Sequence, residues 1–234
     1  MSKYNGPRMR VIRRIGRKIP SFTNKKSHRK TRPGQHGQKR LSKARKEKQK
    51  RLLEKQKLRF YYSLTEKQLV SYIKNARTSK RSTIEILFRQ LEIRLDNVLF
   101  RRSFALTLLH ARQIVNHRKV KVNQKLVTVS NYFCFISQMI KIYSNPEICS
   151  IRRITRSLYS SILQCCRTLR FIPRYLKKVS LREVKVNNRA KRINFQIKFK
   201  ELLVIEYYSK SLLLNALKSK NSQQNKKERK CTWY

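Results

Sequence analysis

The residues that could carry reaction chemistry are few and scattered. Asp96 is the sole aspartate, and the four histidines (His28, His36, His110, His117) fall in no shared pattern. Five cysteines (Cys134, Cys149, Cys165, Cys166, Cys231) include no C-x-x-C pair and no His/Cys zinc spacing. They are expected to be reduced, unligated thiols, and no metal or cofactor is expected. The abundant chemistry is cationic: Lys and Arg number 60 against 11 acids, a formal net charge of +49 over 234 residues. Self-repulsion of that size opposes compaction unless counter-charge comes from outside. An ordinary free-standing enzyme is excluded, and a nucleic-acid partner is indicated. Arginine suits such a partner, because its planar fork can hold two phosphate oxygens at once.

Two groups of cations stand out. Residues 1–46 hold no acid and all four glycines. Gly6-Pro7, Pro20 and Pro33-Gly34 punctuate residues 1–41, which read as an extended basic arm that orders on RNA, with Arg8, Arg10, Arg13, Arg14 and Arg17 on phosphates. Further on, Lys55, Lys57 and Arg59 precede Phe60, Tyr61 and Tyr62, an arrangement that could pair phosphates with stacked bases or could close a small aromatic core.

The elements that must position these residues follow from periodicity. Residues 42–59 read as a helix without an apolar stripe, which needs another surface to lie on. Thr65 and Gln68 spell a capping box, with Leu64 and Leu69 as its staple, and Tyr72, Ile73 and Ala76 continue that helix's buried face. Ser82 with Glu85 spells a second box. Ile84, Leu87, Phe88, Leu91, Leu95, Val98 and Leu99 then recur at helical spacing as one core face. A third helix is expected over 107–116, burying Leu108, Ala111 and Val115. The period then falls to two: Val120 and Val122 alternate with Lys119 and Lys121, Asn123-Gln124 turns, and Leu126, Val127 and Val129 return.

Residues 141–190 show no sustained period. The alternation Ile193, Phe195, Ile197, Phe199 suggests a strand before the apolar Leu202–Ile205, and 210–234 reads as an extension needing a neighbour to order it. The longest uncharged run, Leu126 to Ile140, is fifteen residues, short of the ~20 needed to span a membrane, and no signal peptide is apparent.

Several stretches together resemble the small-subunit ribosomal protein S-four family in its plastid form. They are MSKYNGPRMRVIRRIG at 1–16, RPGQHG at 32–37, KQKLRFYYSLTEKQL at 55–69, RLDNVLFRRSFALTLLHARQIVNHRKVKVN at 94–123 and ELLVIEYYS at 201–209. The resemblance implies an α+β fold. A helical body (42–92 and 190–209, the latter closing with a strand) would carry an embedded helix-turn-helix-β-hairpin RNA-binding module (93–150). The basic arm (1–41), a divergent segment (151–189) and a C-terminal extension (210–234) complete it. Two departures fall at turns: Gln124 replaces the glycine of the family's Val-Asn-Gly hairpin, making that turn longer or strained, and Ser103 replaces a helix-ending glycine. Zinc-binding cysteines found in some members' arms are missing.

The resemblance implies a structural constituent of the small ribosomal subunit. Such a protein binds 16S-type rRNA directly, nucleates assembly of the subunit body and contributes to translational accuracy. Its partners would include neighbouring small-subunit proteins, notably the fifth, and the region where mRNA enters. Carried onto matching positions, the family's RNA-facing residues are Arg94, Asn97, Arg101, Arg112, His117, Arg118, Lys119 and Asn123, beside the arm's arginines and Lys55, Lys57 and Arg59; the alternative for Arg94 and Asn97 is to brace the module internally, and for His117 to cap its helix C-terminus. The match begins at residue 2, so no transit peptide is expected. Scarce glycine and proline beside abundant Lys, Ile, Asn, Phe and Tyr fit an AT-rich organelle genome, plastid first and mitochondrion as the alternative. One rival reading is enzymatic: Arg94-Leu95-Asp96 is similar to the R-L-D of pseudouridine synthases, which carry the same module. The other is a generic basic coat for DNA or a membrane surface, which explains the charge but neither the caps nor the hairpin.

Overall fold

The computed structural model describes residues 4–17, 19–23, 25, 27–29, 31–35, 37, 43–105, 107–143, 173, 175–180, 182–187 and 199–209. The expected strand at 193–197, the extension 210–234, His36, Cys149, Cys165, Cys166 and Cys231 lie outside them. The chain divides into two compact units, 1–39 with 58–198, and 40–57 with 199–234. In chain order the elements are α1 (Arg8–Ile15), α2 (Lys43–Tyr61), α3 (Glu66–Arg77), α4 (Thr83–Glu92), α5 (Leu95–Arg101) and α6 (Leu108–Asn116). The strands are β1 (Val120–Val122), β2 (Lys125–Leu126), β3 (Met139–Ile142), β4 (Leu176–Lys178) and β5 (Glu183–Val186). A further helix covers residues 201–209.

In the first unit, the arm departs from the extended form expected of it. Pro7 precedes the first turn of α1, where a missing N–H costs nothing, and Gly16 closes it in the left-handed region at φ 74°. Val11 and Ile12 are buried while Arg8, Arg10 and Arg14 point outward. Two apolar neighbours suffice for so short a helix, and the expectation failed because it required a longer stripe. The arm is also tied down. Ile19 and Phe22 are fully buried, the Ser21 hydroxyl donates to the Tyr61 carbonyl at 2.6 Å, and the Ser21 carbonyl accepts the Leu108 amide at 2.9 Å.

The capping box of α3 forms as spelled: Thr65 Oγ1 accepts the Gln68 amide, and Gln68 Oε1 accepts the Thr65 amide. Ser82 caps α4 by position only, with no side-chain bond, so its box is not made. The apolar face expected to run unbroken from Ile84 to Leu99 is cut. α4 ends at Ile93, and Arg94 turns extended at ψ 139° to bridge Phe133. The Leu95 and Asp96 amides bond the Tyr132 and Ser130 carbonyls, so the start of α5 is capped by a loop distant in sequence. The break moves Asp96 into a first helical turn, where the helix dipole favours a carboxylate.

A five-stranded antiparallel sheet, in the order β2-β1-β3-β5-β4, closes the module. Register aligns Val122, Ile140 and Val184, and pairs Val120 with Ile142 and Leu176 with Val186, so these apolar strand residues fall on one face. That face shares a core with Leu95, Val98 and Leu99 of α5 and Ala111, Ile114 and Val115 of α6. β2 is only two residues long, and Leu126 and Val129 are exposed rather than returning to the core. β4 and β5 come from the stretch expected to diverge. They complete the module's sheet, which therefore extends to residue 186 rather than ending near 150.

In the second unit, residues 201–209 are helical where a closing strand was expected. Glu201, Val204 and Tyr208 are buried at i, i+3, i+7 while Leu202 is 74% exposed, a period that only a helix satisfies. Arg51 and Glu206 form an ion pair at 2.7 Å in this unit.

Candidate nucleic-acid interface

The two acids at the heart of the module are wholly buried, and both are surrounded by donors. Asp96 receives Arg94 as a fork, Nε to Oδ1 at 3.1 Å and Nη2 to Oδ2 at 2.9 Å, and Arg112 Nε to Oδ2 at 2.8 Å. Burial alone would raise the Asp96 pKa, but the two guanidiniums outweigh it and hold the carboxyl below the usual carboxylate range. Glu92 receives Arg101 as a second fork, Nε to Oε2 at 3.1 Å and Nη2 to Oε1 at 2.6 Å. The Tyr62 and Tyr175 hydroxyls donate to Glu92 at 2.6 and 2.9 Å, and Asn97 Nδ2 at 2.9 Å. Burial and the neighbouring Glu92 charge push both tyrosine pKa values well up, which keeps them donors.

Four residues expected on RNA turn inward instead. Arg94, Asn97, Arg101 and Arg112 are 2%, 0%, 0% and 6% exposed, and each directs its hydrogen bonds inside the fold. Arg94 also donates to the Tyr72 hydroxyl at 2.7 Å. Arg112 reaches the Ser63 and Tyr62 carbonyls at 2.6 and 2.9 Å, fastening α6 to the chain between α2 and α3. Arg94, Asn97 and Arg101 present almost no surface to a phosphate, and Arg112 shows only its edge, in the lining of a cavity beside Ser63. Asp96, locked between two arginines, is unable to attack a base, which removes the one residue on which an enzymatic reading rested.

Lys55 and Lys57 turn inward as well. Both are buried, Lys57 Nζ lying 2.6 Å from Glu54 and Lys55 Nζ 4.9 Å from the centre of the Tyr207 ring. Arg59 is half-buried and donates to the Leu64 carbonyl at 3.3 Å. Arg13, also half-buried, donates to the Thr31 and Arg32 carbonyls at 3.1 and 3.3 Å and so braces the arm.

What reaches the surface is a corner. α6 ends by its last turn closing on itself: the Arg118 amide bonds the Val115 carbonyl and the Lys119 amide the Ile114 carbonyl, with Arg118 left-handed at φ 59°. This exit swings His117 and Arg118 into solvent at the helix C-terminus, where a positive charge opposes the dipole favourably. Three residues of β1 later, roughly 10 Å along the strand, the hairpin turns through Asn123 (φ 45°) and Gln124 (φ 69°). The register Val122↔Lys125 makes this a two-residue turn, strained rather than lengthened. Asn123 Oδ1 accepts the Met139 amide at 2.8 Å, which fixes the turn against β3.

Sequence reasoning placed Lys121 on the polar face of its strand but missed the cations that continue that face across the sheet, Lys141, Lys177 and Lys185. Lys121 and Lys141 lie side by side on the sheet's outer face, Lys185 and Lys177 likewise, and Tyr143 sits with Lys121 Nζ 4.3 Å from its ring centre. The signal was a period-two alternation in β3 and β5 too short to read without its partner strands. Cys134 is buried, which pushes its thiol pKa up and leaves it unreactive. Among the described residues no group of His, Cys, Asp and Glu is arranged to hold a metal, and no helix is long and apolar enough to cross a membrane.

The helical segment leading into a module of two helices and an antiparallel sheet, with a cationic surface, has the make-up of an RNA-binding protein rather than an enzyme. Residues 3–92 match the family described as Ribosomal protein S4/S9 N-terminal domain, and residues 93–134 match the S4 domain. The chain is 39% identical over 217 residues to small ribosomal subunit protein uS4c of Prototheca wickerhamii, covering 91% of this chain and 100% of that protein. It is 41% identical over 212 residues to uS4c of Oltmannsiellopsis viridis, with 90% of this chain and 100% of that protein covered. To uS4 of Nostoc punctiforme it is 42% identical over 211 residues, with 90% and 99% covered. The chain belongs to the small ribosomal subunit protein uS4 family, and its relatives named uS4c are of the chloroplast type. That family is one of ribosomal structural proteins, not of RNA-modifying enzymes.

Proposed function

We propose that this protein is a structural component of the chloroplast small ribosomal subunit that binds its rRNA directly and helps to nucleate folding of the subunit body. The observation that carries the reading is the division of charge. The buried acids of the module, Glu92 and Asp96, are matched by buried arginines, while His117, Arg118 and Asn123 are exposed and Lys119 is half-buried between the end of α6 and the hairpin turn. Arg8, Arg10 and Arg14 add a second cationic face on α1. A folded RNA offers a deep major groove that side chains cannot read, so recognition would rest on shape, phosphates and 2′-hydroxyls, which such a corner suits.

Contacts with neighbouring small-subunit proteins, the fifth among them, with the region where mRNA enters, and a part in decoding accuracy are extensions of the family resemblance. The test is a salt series on Arg118→Ala with Lys119→Ala, using a transcript of the 5′ domain of small-subunit rRNA. For each phosphate that is no longer neutralised, the slope of log affinity against log salt should fall by roughly 0.7–0.9. An unchanged slope would remove both residues from the interface.

A further inference from the structure

The aromatic run after Lys57 splits in two. Tyr61 and Tyr62 are core residues, but Phe60 is only half-buried. Its ring packs 5.4 Å from both Tyr4 and Phe22, centre to centre, and Tyr4 lies 5.8 Å from Phe22. These three rings wall a cavity of about 160 Å³, with Ser63, Thr65 and Leu109 also lining it. A cavity of about 150 Å³ is large enough for a benzene-sized ring.

The cavity is built in two further respects. Guanidiniums lie over its walls: Arg8 Cζ is 5.8 Å from the Phe22 ring centre and Arg59 Cζ 5.3 Å from that of Phe60. Beside them, Ser63 is held left-handed at φ 49°, its carbonyl accepting from Arg112. This is the left-handed close of α2, with the Ser63 amide on the Phe60 carbonyl and the Leu64 amide on that of Arg59, and it fixes the cavity's floor. Gly6 contributes by what it lacks: a Cβ there would come within 2.7 Å of the Tyr4 hydroxyl, so the glycine leaves that ring free to fold back.

We propose that this cavity takes one unstacked pyrimidine of the bound small-subunit rRNA, its ring among Tyr4, Phe22 and Phe60 and its phosphate against Arg8 and Arg59. Flat apolar walls give a base its stacking surface, and the adjoining guanidiniums select a ligand whose ring carries a phosphodiester rather than a neutral aromatic. The proposal rests on the reading that the chain binds rRNA, but it concerns a surface separate from the Arg118 corner.

The experiment begins with ultraviolet crosslinking of the full chain to the 5′-domain transcript, with crosslinked peptides and nucleotides identified by mass spectrometry. The expected product joins Tyr4, Phe22 or Phe60 to a single pyrimidine. An abasic substitution at that nucleotide should weaken binding about tenfold, and Tyr4→Leu should weaken it by a similar factor. Combined, the two should cost no more than either alone, because each removes the same stack. Gly6→Ala, which leaves every wall residue in place, should reproduce part of the loss by displacing the Tyr4 ring. A transcript that binds without crosslinking to any of the three rings, or losses that add fully, would overturn the proposal while leaving rRNA binding intact. Failure to bind the transcript at all would instead overturn the functional reading beneath it.

Discussion

At the scale of single residues, Glu92 and Arg101 form the most deeply buried ion pair among the described residues, each with no accessible side-chain surface. Burial would lower the Arg101 pKa, but the Glu92 charge outweighs it and holds the guanidinium firmly protonated. Removing one member leaves the other charge buried without its counter-ion. Arg101→Met should therefore cost about 3–5 kcal/mol in chemical denaturation, and adding Glu92→Gln should recover a substantial part. Asp96 makes a pH prediction. Its folded-state pKa is depressed by Arg94 and Arg112, so its contribution to stability is present above the unfolded value of about 3.8 and is lost as pH falls through the lower, folded value. Thermal melts should show stability falling below about pH 4, and Asp96→Asn should be less stable at pH 7 with a flatter acid limb. Of these internal roles the sequence offered only the bracing of the module by Arg94 and Asn97, as an alternative to RNA contact. An arginine in a basic chain reads as surface, and only the fold reveals that Glu92, five residues before Asn97 and nine before Arg101, faces both.

At the scale of elements, two positions where the resemblance leads one to expect glycine bear left-handed backbone. Ser103 (φ 62°) ends α5, with the Phe104 amide on the Leu99 carbonyl and the Ser103 amide on that of Phe100; Gln124 (φ 69°) sits in the hairpin turn. A left-handed conformation costs an L-residue about 1–2 kcal/mol, against about 0.5–1 kcal/mol of extra chain entropy lost by glycine. Ser103→Gly and Gln124→Gly should each stabilise by up to about 1 kcal/mol, measured as a shift in denaturation midpoint with unchanged slope. A neutral or destabilising result at both would show that the strain is relieved locally. Both sites were legible in the sequence as departures from a glycine, as were the α3 box, α6 and the β1–β2 turn, because each signal lies within a few residues. The α4–α5 break was not, because the apolar stripe keeps its phase across it and the cause is a loop at Ser130–Tyr132. The helix at 201–209 was misread because an apolar Leu-Leu-Val-Ile run fits either period until its neighbours decide which side chains are covered.

At the scale of the whole molecule, the net charge of +49 decides what the protein can be. Glu92 and Asp96 are consumed inside the module, so they offset none of the charge on its surface. Charge by itself gives an indiscriminate polyanion binder, and in the proposed interface the positioning of the corner by α6 and β1 would supply selectivity for a shape. In that light Arg112→Ala and Arg118→Ala should behave oppositely. The first should lower the melting temperature, because it removes the bonds to Asp96 and Ser63, while the second should leave it unchanged and weaken RNA binding. Melting curves and binding isotherms on the same two variants separate the roles.

The most direct measurement is a titration of the full chain against the 5′ domain of small-subunit rRNA in the presence of excess bulk tRNA, repeated across salt concentrations. Recognition by shape predicts tight binding that persists with tRNA present and declines smoothly with salt. Binding that disappears on adding tRNA or at modest salt would contradict it, leaving an undirected cation where a ribosomal RNA ligand was inferred.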